Sequence, residues 1–439
     1  MIRTILALWA ICLLAACSGG GGTPTSTPTS TPSSPPSSGG TPVVNSATVT
    51  FDAGPAELNV GPGAYTAFNE PYVSIKICAP GSTTNCQTID HIILDTGSVG
   101  LRILQPVINQ SLLSALPAQT DPSGNAVGEC YMYVNSYVFG SVRQADFSIA
   151  GEKVANMPFH AIADAGVFSN VPASCSSGGG TNITTVKAFG ANGILGIGTT
   201  PTDCGPICAA GNTTGAAYYD CPASGCSAII ARAVSTTAPF QQLPNPVAAF
   251  ATDNNGTVLV LPSVAPAGAV SMTGTIYFGI GTQANNALGS QTVLPVTTST
   301  NRLGAGLLTA IYNGKSLTQS FLDSGSNDYY FIDTSLPACS DTNLSAFYCP
   351  TTSMLLSPTL TATNGTMVNA AFTLYNPMTT TAGSSNVAPG LGVNPTLVQP
   401  PLQFANSFDF GVPFFFGRSV YTAIEGRSAG GTQGPYIAF

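Results

Sequence analysis

From Val43 onward the chain alternates short apolar runs with clusters of Gly, Pro, Asn, Asp, Ser and Thr. Examples are Tyr72-Val73-Ser74-Ile75-Lys76-Ile77, Tyr131-Met132-Tyr133-Val134, Gly274-Thr275-Ile276-Tyr277-Phe278-Gly279 and Ala371-Phe372-Thr373-Leu374-Tyr375. Such runs are rich in β-branched and aromatic residues, and several repeat every second position. A two-residue period puts alternate side chains on opposite faces of a strand, and the turn formers between runs mark strand ends. Helical periodicity is scarce, with residues 101–116 and 246–251 the two stretches suited to short helices. The pattern predicts a mostly β body.

The first 42 residues depart from it. Met1-Ile2-Arg3 is a short positive start, and residues 5–14 form an apolar run too short to span a bilayer. Leu14-Ala15-Ala16-Cys17 follows as a small-residue cleavage site, so residues 1–17 resemble a bacterial lipoprotein signal. That resemblance implies lipid on Cys17, the new N-terminus, and a body held at a membrane of the bacterial cell envelope. Ser18 in place of an aspartate favours the outer membrane. Residues 18–42 carry Gly, Thr-Pro, Ser-Pro and Pro-Pro with no large apolar side chain, which makes them a linker. Extended in a proline-type conformation, such a tether reaches roughly 70 Å.

Composition narrows the chemistry. At 439 residues and 44% hydrophobic, the chain is long enough for two domains or one large two-part body. Only 7% of residues are charged and the net charge is −8, so the basic stripe that nucleic acid requires is missing. Of twelve cysteines, Cys12 leaves with the signal and Cys17 takes lipid, which leaves ten. An even number in an exported protein predicts disulfides. Cys78 with Cys86 and Cys339 with Cys349 are suited to local bridges. The group Cys204, Cys208, Cys221 and Cys226 admits a zinc reading, but its spacings do not match the usual two-residue knuckle, and disulfides are the expectation there too.

The chemistry-bearing feature is a near-repeat. Ile92-Ile93-Leu94-Asp95-Thr96-Gly97-Ser98 and Ser320-Phe321-Leu322-Asp323-Ser324-Gly325-Ser326 each deliver one aspartate from an apolar strand into a tight turn. Two carboxylates brought face to face cannot both ionise, so they share a proton and divide the roles of base and acid. That is the chemistry of water attacking an amide. Each motif is followed about a hundred residues later by an apolar-apolar-Gly segment, Gly193-Ile194-Leu195-Gly196-Ile197-Gly198 and Phe414-Phe415-Phe416-Gly417-Arg418. A strand packed beside the turn would need glycine where a Cβ would collide. The first segment leads into Thr199-Thr200-Pro201 rather than a helix, which argues against a nucleotide loop.

Together these residues resemble the pepsin-like, two-lobed aspartic proteases. The likeness covers roughly residues 60–439 and extends to a closing Phe415-Phe416-Gly417-Arg418-Ser419-Val420-Tyr421 and Gly434-Pro435-Tyr436-Ile437-Ala438-Phe439. It implies a bilobal fold with a cleft between two β lobes, residues 43–285 and 286–439, the first carrying a Cys-rich insertion at 199–233. It implies Asp95 and Asp323 as the catalytic pair. Gly97 and Gly325 would donate N–H bonds to them, Ser98 and Ser326 hydroxyls would bond their outer oxygens, and Thr96 and Ser324 would cross-link the turns. A tyrosine seven residues before Gly140 marks Tyr133 as the flap residue over the cleft, with Tyr131 and Tyr137 as alternatives. The tip Val134-Asn135-Ser136 departs from the family's glycine-rich tip, and Cys130 is placed to pin its base.

The expected function is peptide-bond hydrolysis by a water held between Asp95 and Asp323, with a polypeptide substrate, a membrane partner through the lipid, and no metal, cofactor or nucleic acid. The alternative is an inactive pepsin-fold lipoprotein that binds peptide or glycan or acts as an inhibitor. A third reading is a structural surface lipoprotein. His91 and His160 are the only histidines and stand near neither a Gly-x-Ser-x-Gly turn nor a His-Glu-x-x-His helix. Asp90, Asp328 and Asp333 read as turn or solvated acids.

Overall fold

A computed structural model describes residues 45–177, 180–206, 216–229, 242–300, 304–380, 385–398 and 405–439. The signal, Cys17, the linker, Cys208 and parts of the Cys-rich insertion lie outside these. The protein is mostly β, with 40% of residues in strands and 11% in helices. Residues 101–104 belong to the strand Val99–Leu104, and the helical propensity beyond it yields only Gln105–Val107 and Gln110–Leu113. No helix among the described residues is long and apolar enough to cross a membrane.

The larger sheet has sixteen strands, six of which close on themselves. In order around this ring they are Ser136–Ile149, Glu152–Ile162, Val99–Leu104, Gly193–Ile197, Cys86–Asp95 and Tyr72–Cys78. Lys76–Cys78 then pairs back onto Asp146–Ser148 and completes the ring. From the ring the sheet continues antiparallel through Ser46–Phe51, Met272–Phe278 and Gly256–Val260 to the closing hairpin of Ser419–Ala423 and Tyr436–Ala438. The last strands of the chain are thus built into the same sheet as its first.

The second sheet has seven strands around Leu308–Tyr312 and Lys315–Leu322. Its core is aromatic: Phe331 and Phe408 stack at 4.6 Å, and Phe408 and Phe410 at 4.3 Å. One continuous hydrophobic cluster runs from Val49 through Ile92 and Leu94 to Phe408 and Phe414. Burial of this kind, at roughly 25 cal/mol per Å² of apolar surface, is the main term opposing chain entropy.

Disulfides join Cys78 to Cys86, Cys130 to Cys175, Cys221 to Cys226 and Cys339 to Cys349. Cys204 is disulfide-bonded as well. The two local bridges expected from spacing are present, and sulfurs paired in this way are not thiolate ligands for zinc.

One expected strand is elsewhere. Cys86–Asp95 pairs in parallel with Gly193–Ile197, Asp95 opposite Gly196, as the glycine argument requires. The partner of Lys315–Leu322, however, is Asp409–Phe410, with Phe321 opposite Asp409 and Leu322 opposite Phe410. Gly411, not Gly417, therefore follows in register opposite Asp323. A Cβ on Gly411 would run into the carbonyls of Ser326 and Asp328, just as one on Gly196 would stand 2.6 Å from the Val99 nitrogen. Val412–Phe415 is a 3-10 turn. The longer phenylalanine run drew the expectation because a buried aspartate interrupts the true strand.

Candidate active site

Each aspartate sits at the buried end of a strand, where the next three residues turn back and supply its hydrogen bonds. Gly97 N–H donates to Asp95 Oδ1 at 2.7 Å and the Ser98 hydroxyl donates to Oδ2 at 2.5 Å. In the second turn Gly325 N–H donates to Asp323 Oδ1 at 2.7 Å and the Ser326 hydroxyl to Oδ2 at 2.9 Å. Short Asp-x-Gly-Ser turns make this possible, because an aspartate side chain reaches a backbone N–H two residues on.

The turns are bonded to each other by two hydroxyls. Ser324 Oγ donates to the Leu94 carbonyl at 2.8 Å and accepts from Thr96 N–H at 3.1 Å. Thr96 Oγ1 accepts from Ser324 N–H at 2.9 Å and donates to the Leu322 carbonyl at 3.4 Å. This reciprocal pattern relates the two turns to each other. It also seats Asp323 over Gly97, where a Cβ would stand 2.6 Å from both carboxylate oxygens. Glycine at 97 is a steric requirement.

The Asp323 carboxyl lies against Gly97, whose N–H binds Asp95, so the two carboxyls are close neighbours. Both are buried, Asp95 at 0% and Asp323 at 1% exposure. Burial, then the charges of Asp95 and Asp409, push the Asp323 carboxyl well above the usual carboxylate range.

The hairpin of Ala126–Met132 and Ser136–Ile149 has its turn closed by Tyr133 N–H donating to the Ser136 carbonyl at 2.7 Å. Tyr133 is buried against Leu58, Ile93 and Phe189, while Val134 at the tip is exposed. Tyr131 packs 5.1 Å from Tyr133. Its hydroxyl is raised by burial first, with Tyr133 and Asp95 adding to the rise and Arg102 opposing it, so it lies within electrostatic reach of Asp95. Tyr137 packs instead with Cys130, Phe139 and Tyr219. The Cys130–Cys175 bridge ties one hairpin strand, and Ala216–Cys221 of the Cys-rich insertion adds a further strand along its edge.

Beneath the hairpin is a buried charge network that sequence reasoning missed. Arg102 is fully buried, donates to Glu129 Oε1 at 2.6 Å and Asp203 Oδ2 at 3.3 Å, and stacks 3.5 Å over the Tyr131 ring. His160 Nδ1 stands 2.8 Å from Glu129 Oε2. Tyr218 donates to Asp203 and accepts from Leu243 N–H at 2.7 Å. Arg102 and His160 hold Glu129 below the usual range despite its burial, whereas burial pushes Asp203 well up and the His160 imidazole down. The network joins the strand leaving Asp95 to the hairpin and to the insertion. Its sequence signal is the lone arginine inside the apolar run Val99-Gly100-Leu101-Arg102-Ile103-Leu104.

The remaining candidates divide. His91 is half-buried, packed edge-on to Tyr72 and 3.3 Å from both Asp52 and Asp90, away from the pair. Asp90 is exposed. Asp328 and Asp333 are buried rather than solvated, and Asp333 is a turn acid whose Oδ1 accepts from Ser335 N–H at 2.9 Å. Asp333 is enclosed by Tyr312, Asn313 and Ser335, because the chain folds those donors around it. Asp328 lies under the second turn with neither oxygen hydrogen-bonded, and burial with the charges of Asp409 and Glu70 raises it well above the usual range. A cavity of about 240 Å³ lies against Thr96, Gly97, Leu307 and Phe321, but neither aspartate lines it.

No curated protein sequence matches the chain. A family described as "protein of unknown function (DUF3443)" matches residues 43–439, and the chain belongs to that family.

Proposed function

We propose that this protein is an aspartic endopeptidase of bilobal, pepsin-like architecture that hydrolyses peptide bonds with a water activated between Asp95 and Asp323. The observation that carries the reading is a pair of buried aspartates on two turns cross-linked through Thr96 and Ser324. Asp323, holding the shared proton, protonates the peptide carbonyl oxygen while Asp95 takes a proton from the attacking water. The tetrahedral diol then expels the amine as it gains a proton, with no covalent link to the protein. Fixed N–H and hydroxyl donors around both carboxyls limit reorganisation during these steps. An extended polypeptide would lie between the hairpin bearing Tyr133 and the two turns. Lipid on Cys17 would hold this body at the outer membrane.

One observation favours a second reading, binding without hydrolysis. Asp95 and Asp323 are both closed to solvent, so substrate reaches them only if neighbouring chain moves aside, and the hairpin bearing Tyr133 is held by the Cys130–Cys175 disulfide and an added edge strand. Incubation with an unfolded protein from acid to neutral pH, with and without pepstatin, separates the two. Pepstatin-sensitive cleavage strongest at mildly acidic pH is expected. Tight pepstatin or peptide binding with no cleavage at any pH would support the binding module.

A further inference from the structure

The two halves of the site differ in polarity at a buried position. Ile93 pairs with Ile194 in the first half, and the corresponding pair in the second is Phe321 with Asp409. Where one half buries an isoleucine, the other buries a carboxyl at 2% exposure, between Phe408 and Phe410. Burying an acid in an apolar strand is unfavourable unless its surroundings use it.

Its surroundings are the catalytic turn. The Ser326 hydroxyl lies 2.9 Å from Asp323 Oδ2 and 2.7 Å from Asp409 Oδ2. Ser98, its counterpart, bonds Asp95 alone among the acids. A hydroxyl has one hydrogen. Both Ser326 contacts are hydrogen bonds only when one of the two carboxyls carries a proton and donates it to Ser326 Oγ. The second oxygen of Asp409 is buried without a partner. Ser326 therefore links Asp323 to Asp409, and the charge of Asp95 acts on both. The other titratable groups that bear on it are Asp328 and Tyr330 from the same loop and strand and Glu70 from the segment before Tyr72–Cys78. None of the ion pairs among the described residues reaches Asp409.

We propose that Asp409 is a positioning residue which, through Ser326 and its own charge, keeps the shared proton on Asp323 and extends the singly protonated state of the pair toward neutral pH. Its catalytic meaning rests on the endopeptidase reading; the coupling itself does not. Burial pushes Asp409 up to about 7, against the Ser326 hydrogen bond and with the charge of Asp95 adding to the rise. Below that pH Asp409 is neutral and acts as a hydrogen-bond partner. Above it, its anion disfavours a second charge on Asp323, so Asp323 gives up its proton at higher pH than it would beside a neutral residue.

The test is the Asp409→Asn variant of the full chain, followed in two ways. Aspartate ¹³C-carboxyl NMR, with Asp323 identified by its loss in Asp323→Asn, should show the Asp323 titration moving to lower pH by about one to two units. The alkaline limb of the kcat/KM profile on an unfolded protein should move down with it, and the acid limb should stay in place. A merely structural role would lower activity at every pH and leave both limbs where they are. An unshifted Asp323 titration in a folded variant overturns the proposal. So does a wild-type spectrum in which Asp323 and Asp409 both titrate below pH 5, a result that needs no variant to fold. A shifted titration in a protein that cleaves nothing would sustain the coupling and reject the endopeptidase reading.

Discussion

Removing the Ser324 hydroxyl probes the joint between the two turns. Ser324→Ala deletes the donor to the Leu94 carbonyl and the acceptor for Thr96 N–H, at 2.8 and 3.1 Å, in a place with no solvent access. Each buried group left without its partner costs about 1–3 kcal/mol, so the variant should lose roughly 3 kcal/mol. For a body of this size that corresponds to a Tm lower by about 3–4 °C. Urea unfolding with disulfides intact measures the loss directly, provided m is unchanged. Thr96→Val removes the reciprocal hydroxyl, and the double variant should lose less than the sum of the singles by about 1 kcal/mol or more, since either change already loosens both turns. Hydrolysis should fall more steeply than stability, because a misplacement near 1 Å costs on the order of 100-fold. A Ser324→Ala protein within 0.5 kcal/mol of wild type, with an additive double variant, would refute the claim that these hydroxyls lock the site.

Three further outcomes follow from the geometry. Gly97→Ala should abolish hydrolysis while the protein still folds, because the new methyl occupies the Asp323 carboxyl's space; activity within tenfold of wild type would contradict the seating of Asp323. Arg102→Met leaves Glu129 buried without its arginine and with only His160 beside it, and should cost about 3–5 kcal/mol by chemical denaturation, with Glu129→Gln in the same background recovering part of it. Asp328 has its folded pKa raised by burial, so it gives up stability as pH rises above the ordinary value of 3.8. Asp328→Asn should therefore gain on wild type between pH 4 and 7 and lose that gain toward pH 3, and a difference independent of pH would show the carboxyl to be unperturbed.

The parts of the site that were legible in the sequence are those fixed by local chemistry. An apolar strand ending in Asp-(Thr/Ser)-Gly-Ser specifies a turn that bonds its own aspartate, and it occurs twice. Cys78 and Cys86 flank a turn, so their pairing is local. The glycine opposite Asp95 was recoverable from the need to avoid a Cβ. Its counterpart opposite Asp323 was not, because Phe408-Asp409-Phe410-Gly411 is a weaker apolar run than Phe414-Phe415-Phe416-Gly417. Tertiary contacts decide between such runs, and Ser326 makes Asp409 tolerable inside the sheet. Arg102, Glu129, His160 and Asp203 come from four separate segments, and no spacing links them. The burial of Asp328 likewise depends on chain that returns over it from far away.

The most direct measurement is the initial rate of hydrolysis of an extended peptide by Asp95→Asn and Asp323→Asn beside wild type, each variant first matched to it in stability. Both single changes should lower kcat at least about a thousandfold and to similar levels, as expected for groups that act as a unit. A variant of either that keeps a rate within tenfold of wild type would contradict a water-activating pair at Asp95 and Asp323.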